Sequence, residues 1–216
     1  MSAGAVASYL WVNYLQTKLR TAKIQLIVDS GVFLNEQNYL TKGYEFQQLL
    51  EMIAKTVNTE IGTPVEECNK AHVNDIWQCV TYAVVYNFIE ARTLVVNSMY
   101  DSWSLANILG LKCIKGNDLG GCDQTQLHAA QQYHQKFLQF GAEYLAKPGN
   151  SIWAIACANH VYLTVDFYFS SPLETVPMFS NNTCQHTIAE WMKGTDVKIF
   201  DVVAWPDNAP CAHLRP

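Results

Sequence analysis

The chain opens with Met1-Ser2-Ala3-Gly4-Ala5, a serine followed by small residues, and this short stretch is its most informative feature. Apolar residues recur at helical spacing directly after Gly4, so the serine stands at the start of a predicted helix. A Ser on a tight turn that leads straight into a helix is the second half of a nucleophile elbow. The glycine two places before the Ser and the strand that feeds the elbow are absent, so we expect the chain to begin inside a longer protein.

Apolar runs and helical patterns alternate after this stretch. The runs predict strands over 24–28, 93–97 and 152–157, and the patterns predict helices over 46–57, 82–89, 124–147 and 188–192. We interpret the polar, cysteine-bearing segment 62–79 as a loop rather than as part of the core. This alternation is typical of an α/β fold with a mainly parallel sheet and flanking helices. We expect residues 1–216 to form a single, partial domain of this kind.

The composition argues against several classes of protein. The net charge is −5 and the 14 Lys and Arg residues form no cluster, which argues against a nucleic-acid partner. No stretch approaches the ~18 uninterrupted apolar residues of a membrane span. We expect no metal and no cofactor, and the lack of any C-x-x-C pair argues against structural zinc.

The cysteines indicate an oxidising compartment. Seven of them occur in 216 residues, at spacings that favour small disulfide loops. A glycosylation sequon begins at Asn181, and a sequon has meaning only in a secreted protein. We therefore expect a secreted, extracellular protein, although this chain itself carries no signal peptide.

A serine, an aspartate and a histidine occur in the chain order of a known class of catalytic triad. Asp101 and His160 each follow a predicted strand by a few residues, and Ser2 would do so if a strand preceded it. In open α/β sheets, ligands gather at the carboxyl ends of the strands. The order Ser, acid, His is that of the α/β-hydrolases. Ser2 is then the nucleophile, His160 the base and Asp101 the acid that orients the imidazole, while the Ala3 N–H donates to the oxyanion.

Each of these residues also has a plainer interpretation. A Ser after Met and before small residues is common, and a His in a loop after a strand is often only a polar loop residue. Asp101 precedes Ser-Trp-Ser-Leu and can simply cap a short helix, although one carboxylate can do both. We interpret the remaining histidines as surface, groove, loop or tail residues: His72, His128, His134, His186 and His213.

Further motifs in the same order carry a family resemblance. They are Ser2-Ala3-Gly4, then 28–34 (VDSGVFL), Cys68 with 77–79 (WQC), 95–101 (VVNSMYD) and 157–160 (CANH). Over most of its length the chain resembles the pectin acetylesterase/Notum family of carboxylesterases. The family elbow reads Gly-x-Ser-Ala-Gly-Gly, whereas this chain has Met1 at x and Ala5 at the last Gly. The family's glycine-rich loop, which supplies the second oxyanion donor, lies upstream of the Ser and is absent here.

The resemblance implies a secreted serine carboxylesterase that acts through Ser2, His160 and Asp101. It implies disulfides Cys68–Cys79 and Cys113–Cys122, with Cys157 bridged to Cys184 or Cys211. The substrate it implies is an acylated polysaccharide or another ester, with acetyl esters expected first, and we expect a monomer. Two alternatives stay open, namely a protein-palmitoleoyl carboxylesterase and an inactive or truncated member that acts as a secreted binding or structural protein. A carbohydrate-binding module, suggested by several Trp residues, is a weaker interpretation.

Overall fold

The computed structural model describes residues 1–56, 65–164 and 183–207. Its strands are β1 (Gln25–Asp29), β2 (Arg92–Ser98), β3 (Asn150–Ile155) and β4 (Lys198–Phe200). Its α-helices are α1 (Ala3–Lys18), α2 (Glu45–Thr56), α3 (Glu66–Ala71), α4 (Tyr82–Val85), α5 (Ser102–Asn107), α6 (Gln124–Ala146) and α7 (Cys184–Met192), with short 3₁₀ turns at Ile76–Val80 and Tyr86–Phe88.

The four described strands form one parallel sheet in the order β1-β2-β3-β4. Val28 lies opposite Val95, and Val95 lies opposite Ile152, so the registers bring the carboxyl ends of the strands to one edge. Parallel neighbours require a crossover between them, and helices occupy these crossovers. This edge therefore collects the loops that follow β1, β2 and β3.

The sheet is buried on both faces, and successive residues of β2 alternate between the two cores. Val95 packs in a core with residues of α1 and α6, whereas Leu94 and Val96 pack in a second core with residues of α7. The central strands are therefore apolar on both sides, as β2 and β3 are, with nearly every residue buried. A sheet covered on both faces holds its edge loops in fixed positions.

The α/β class, the parallel sheet and the flanking helices are confirmed. The predicted strands and the long helices lie within a few residues of the observed ones, and β4 is an additional strand that the sequence did not predict. The predicted end of the second helix, at residue 57, lies outside the described residues. No described helix is both long enough and apolar enough to span a membrane.

Two expectations about burial were wrong. The described part of 62–79 is not a surface loop: it contains α3, and Cys68 and Cys79 are buried in the main core. His134 is not a surface or groove residue, because its side chain is fully buried and its ring stacks on that of Tyr100 at 4.7 Å between centroids. Burial lowers the pKa of His134 below its ordinary value.

The structure contains both local disulfides. Cys68 pairs with Cys79 and Cys113 pairs with Cys122. Cys157 is also disulfide-bonded, but Cys184 is a buried free thiol, so the interpretation that lists Cys184 among the bridged cysteines and pairs it with Cys157 is wrong. Cys211 and the sequon residue Asn181 lie outside the described residues, so their assignments stay predictions.

Candidate active site

Ser2 occupies a strained turn at the amino end of α1. Its backbone has φ 50° and ψ −129°, a conformation that non-glycine residues adopt rarely and at a cost of about 1–3 kcal/mol. The Ser2 N–H donates to the carbonyl of Asp29 at 2.8 Å, which ties the turn to the end of β1. The chain passes so close that a Cβ on Gly31 would stand 2.7 Å from the Cβ of Ala5. The Ser is thereby presented at the carboxyl edge of the sheet.

Asp101 follows β2 and performs the capping role at the same time as a second one. Its Oδ1 accepts the N–H of Ser104 at 2.7 Å, which caps α5, while its Oδ2 lies 2.6 Å from Nδ1 of His160. The side chain is 1 % exposed. Burial, with the Asp101 charge as a smaller cause, also raises the pKa of the neighbouring Tyr133. The carboxylate is therefore held by two donors in a dry position.

His160 lies in the loop that follows β3 and bridges the other two residues. Its Nδ1 faces Asp101, and its Nε2 lies 2.9 Å from Oγ of Ser2. The loop is fixed from the β2 side as well, since the Asn159 carbonyl accepts the N–H of Ser102 at 3.1 Å. The structure thus brings together three residues that lie up to 158 positions apart in the chain.

The acid is the most deeply buried of the three side chains. Ser2 is half-buried, the His160 side chain is 18 % exposed and that of Asp101 is 1 % exposed. A carboxylate bonded to Nδ1 keeps the proton on that nitrogen and leaves Nε2 free to accept one. Chemically, this arrangement can withdraw the proton of the Ser2 hydroxyl when it attacks an electrophile.

The Ala3 N–H stands beside the Ser2 hydroxyl with no helical carbonyl to bond. It is the first N–H of α1, whereas those of Gly4, Ala5 and Val6 donate to the carbonyls of Met1 and Ser2. The positive end of the helix dipole adds to the donor character of this group. The Ala3 N–H is a suitable single donor for the oxyanion that forms when Ser2 Oγ adds to a carbonyl carbon.

An aromatic cluster flanks the imidazole on one side. Trp103 stacks at 6.3 Å from the His160 ring and Phe33 lies 6.4 Å from it, while Phe46 contacts both aromatic rings. Phe33 is buried, and Trp103 and Phe46 are half-buried. The cluster gives the site an apolar wall next to the base.

None of the other described histidines joins this site, and His213 lies outside the described residues. His128 and His186 are exposed on helices and His72 is half-buried beside Phe88. Among the described residues, no group of three or more His, Cys, Asp or Glu side chains is arranged to hold a metal ion. Asp29 and Ser30, which bond to the His160 loop, were not predicted as site residues. Their sequence signals are a position at the end of a predicted strand and membership of the motif 28–34.

A parallel sheet with helices on both faces, and an elbow serine at its carboxyl edge, define an α/β-hydrolase-like protein. Comparison with known families then places the chain: the family described as Pectinacetylesterase matches residues 1–212, and the chain belongs to it.

Individual relatives are distant. The chain is 24 % identical to pectin acetylesterase 11 of Arabidopsis thaliana over 74 % of its own length and 42 % of the relative's. It is 22 % identical to pectin acetylesterase 7 of the same plant, over 89 % of its own length and 50 % of the relative's. The chain therefore spans about half the length of the curated relatives that it matches.

Solved structures match the fold. Two crystal forms of the Wnt deacylase Notum from Drosophila superpose with TM-scores of 0.75 and 0.76, at 14 % and 15 % identity. These matches cover 94 % and 97 % of this chain, but 55 % and 57 % of the Notum chains. At such identities the likeness establishes the α/β-hydrolase-like fold and nothing finer.

Proposed function

We propose that this chain carries the catalytic triad of a serine carboxylesterase, with Ser2 as nucleophile, His160 as general base and Asp101 as the orienting acid. The observation that carries the proposal is the continuous pair of hydrogen bonds, 2.6 Å from Asp101 to His160 and 2.9 Å from His160 to Ser2. Distances of this length are those of an activated nucleophile and its base. Membership of a family named for pectin acetylesterase supports an ester as the substrate.

The proposed reaction has two stages. His160 Nε2 takes the proton of the Ser2 hydroxyl as Oγ attacks the ester carbonyl, and the same proton then goes to the departing alcohol oxygen. This leaves an acyl group on Ser2 and releases the alcohol. In the second stage His160 takes a proton from water, whose oxygen attacks the acyl carbon, and returns it to Ser2 as the free acid departs. Asp101 stabilises the imidazolium in both stages.

The Ala3 N–H is the oxyanion donor that this proposal assigns. An oxyanion site ordinarily uses two or more donors, and losing one lowers turnover by about 10²–10³. In the family that the sequence resembles, the second donor belongs to a loop upstream of the serine.

The substrate class is proposed from the named relatives. We propose an acetyl ester on a polysaccharide, as the names of the plant relatives suggest. The disulfides support a secreted protein, and the monomeric state stays a prediction from the sequence. Removal of a longer acyl group from a protein is the second candidate, and the apolar wall of Phe33, Phe46 and Trp103 beside His160 favours it. Turnover of p-nitrophenyl acetate against p-nitrophenyl octanoate separates the two, since only an extended apolar pocket prefers the longer chain.

The test of the esterase proposal is turnover of p-nitrophenyl acetate by the wild type and by Ser2→Ala. We expect Ser2→Ala to remove all turnover above the rate without protein. Ser8→Ala is the matched control, because Ser8 is an exposed serine on α1 whose hydroxyl bonds only to the Gly4 carbonyl. Equal turnover by Ser2→Ala and the wild type would refute the role of Ser2. A folded wild type without any turnover would instead favour the non-catalytic binding or structural role.

A further inference from the structure

Two buried polar residues, Asp29 and Ser30, lie where β1 ends and have no part in the proton transfers above. Asp29 is 0 % exposed and Ser30 is 1 % exposed. A carboxylate removed from water is tolerable only when other groups bond to it. Within the described residues no salt bridge involves Asp29, so its partners have to be hydrogen-bond donors.

Two backbone N–H groups and the Ser30 hydroxyl donate to Asp29, and a third backbone N–H donates to Ser30, so three successive N–H groups directly after His160 bond to this pair. Ser30 Oγ accepts the N–H of Val161 at 2.8 Å. The Asp29 carboxylate accepts the N–H of Tyr162 at 3.2 Å and that of Leu163 at 3.0 Å. The Ser30 hydroxyl in turn donates to Oδ1 of Asp29 at 3.0 Å, so the two side chains act as one acceptor.

The backbone segment that donates these hydrogen bonds is strained at its first residue. Val161 has φ 68°, which is a rare conformation for a β-branched residue. Successive N–H groups around such a residue point to one side and form a concave anion site. Strain of this kind persists only where surrounding contacts over-determine it. Asp29 and Ser30 supply those contacts at Val161 and the two residues after it, directly after His160.

The same two residues also hold the nucleophile and the neighbouring strand. The Asp29 carbonyl accepts the N–H of Ser2 at 2.8 Å, and the Ser30 N–H donates to the Val96 carbonyl at 2.8 Å. One dipeptide therefore fixes Ser2 through its backbone and the His160 loop through its side chains. Its position is set by β2, the strand that leads to Asp101.

We propose that Asp29 and Ser30 are positioning residues that hold the His160 loop at hydrogen-bonding distance from Ser2. The inference rests on the proposed esterase function and adds residues to it. The quantity at stake is the 2.9 Å separation between Nε2 of His160 and Oγ of Ser2. A misplacement of about 1 Å in a catalytic constellation lowers the rate by about 10²-fold.

The kinetic test compares Asp29→Asn and Ser30→Ala with the wild type. An amide side chain at 29 keeps one acceptor oxygen, and its NH₂ group replaces the other, so either the N–H groups of 162 and 163 or the Ser30 hydroxyl faces a donor. Ala at 30 removes the acceptor of the Val161 N–H. We expect kcat for p-nitrophenyl acetate to fall about 10²-fold in the first variant and about 10-fold in the second, with KM within about twofold. Asp29→Glu, which keeps the charge, restores more activity than Asp29→Asn if the acceptor is what matters.

Ser151→Ala is the matched control. Ser151 is equally buried and its Oγ also accepts one backbone N–H, that of Val197 at 3.2 Å, but it lies at the opposite end of the sheet. Ser151→Ala removes the same hydroxyl and lowers stability without displacing His160, so its kcat stays within about twofold of the wild type. A kcat of Ser30→Ala equal to that of Ser151→Ala would overturn the proposal.

Amide hydrogen exchange tests the positioning role without using activity. We expect the N–H groups of Tyr162 and Leu163 to exchange at least about 10-fold faster in Asp29→Asn and Ser30→Ala, and unchanged in Ser151→Ala. If Asp29→Asn does not fold, Ser30→Ala alone decides. Unchanged exchange in a folded variant contradicts the proposal, whatever the enzyme does. Full turnover by Ser2→Ala would refute the esterase proposal alone. The exchange rates would still test whether Asp29 and Ser30 hold the His160 loop.

Discussion

Replacing Asp101 by Asn separates the catalytic role of this residue from its capping role. Asn caps helices about as well as Asp, so its side-chain oxygen keeps the bond to the Ser104 N–H. Its NH₂ group then faces Nδ1 of His160, which has to become an acceptor. The imidazole proton moves to Nε2, and that nitrogen can no longer accept the proton of Ser2. We therefore expect a folded protein with the wrong tautomer of His160.

The expected loss is large in activity and small in stability. The same change in a Ser-His-Asp triad lowers kcat by about 10⁴, which corresponds to about 5 kcal/mol at 1.36 kcal/mol for each factor of ten. The free energy of unfolding changes by about 1 kcal/mol or less, because both hydrogen-bonding positions stay filled. Asp101→Ala empties both, and we expect it to destabilise the protein by about 2–4 kcal/mol in addition to removing activity.

The assay combines p-nitrophenyl acetate turnover with urea unfolding of the same preparations. Asp123→Asn is the control, since Asp123 caps α6 in the same way and lies outside the candidate site. Turnover by Asp101→Asn within tenfold of the wild type would refute the triad. Equal losses of stability in Asp101→Asn and Asp101→Ala would refute the dual use of the carboxylate.

Three further predictions concern stability. Gly31→Ala places a Cβ 2.7 Å from that of Ala5, and we expect urea unfolding to show a loss of about 1–3 kcal/mol. Replacing both Cys68 and Cys79 by Ser opens a loop with a separation of 11 residues, for which chain entropy predicts a loss of about 3 kcal/mol in thermal or urea unfolding. Burial lowers the pKa of His134, so the unfolded chain binds its proton first, and stability is lost as the pH falls below about 6.5. His134→Phe removes the group that takes up this proton, so we expect its urea midpoint to change less between pH 7.5 and 5.5 than that of the wild type.

Controls for the glycine and the histidine predictions come from the same chain. A Cβ on Gly4 meets nothing within 4 Å, so Gly4→Ala distinguishes crowding from a general effect of the added methyl group. His128→Gln removes an exposed histidine from the same helix as His134. Equal pH dependence in His134→Phe and His128→Gln would contradict the role of burial. Unchanged stability of Gly31→Ala would contradict the close approach of Gly31 to Ala5.

The sequence predicted the parts of the site that follow from strand order. Strands β2 and β3 are apolar runs, and the residues shortly after them fall on one edge of a parallel sheet, which is why Asp101 and His160 could be named in advance. Ser2 could be named because the small residues of an elbow are local to it. Each of these signals lies within a few residues of the side chain that it predicts.

What the sequence did not predict depends on contacts between distant segments. Asp29 and Ser30 lie more than 130 positions from the loop to which they bond. Their motif and their place at the end of a strand do not indicate this distant contact. His134 lies on the buried face of α6, and its ring stacks on that of Tyr100, which belongs to a distant segment of the chain. Strand β4 has three residues, none fully buried, so it shows no periodicity.

The central claim is that Ser2 is a nucleophile made reactive by His160. The most direct measurement is the site and rate of labelling by a fluorophosphonate, read by peptide mass spectrometry in the wild type and in His160→Gln. We expect a single phosphonylated serine at position 2, with labelling slower by at least about 10³-fold in the variant. Label on another residue, or equal rates in the two proteins, would contradict it.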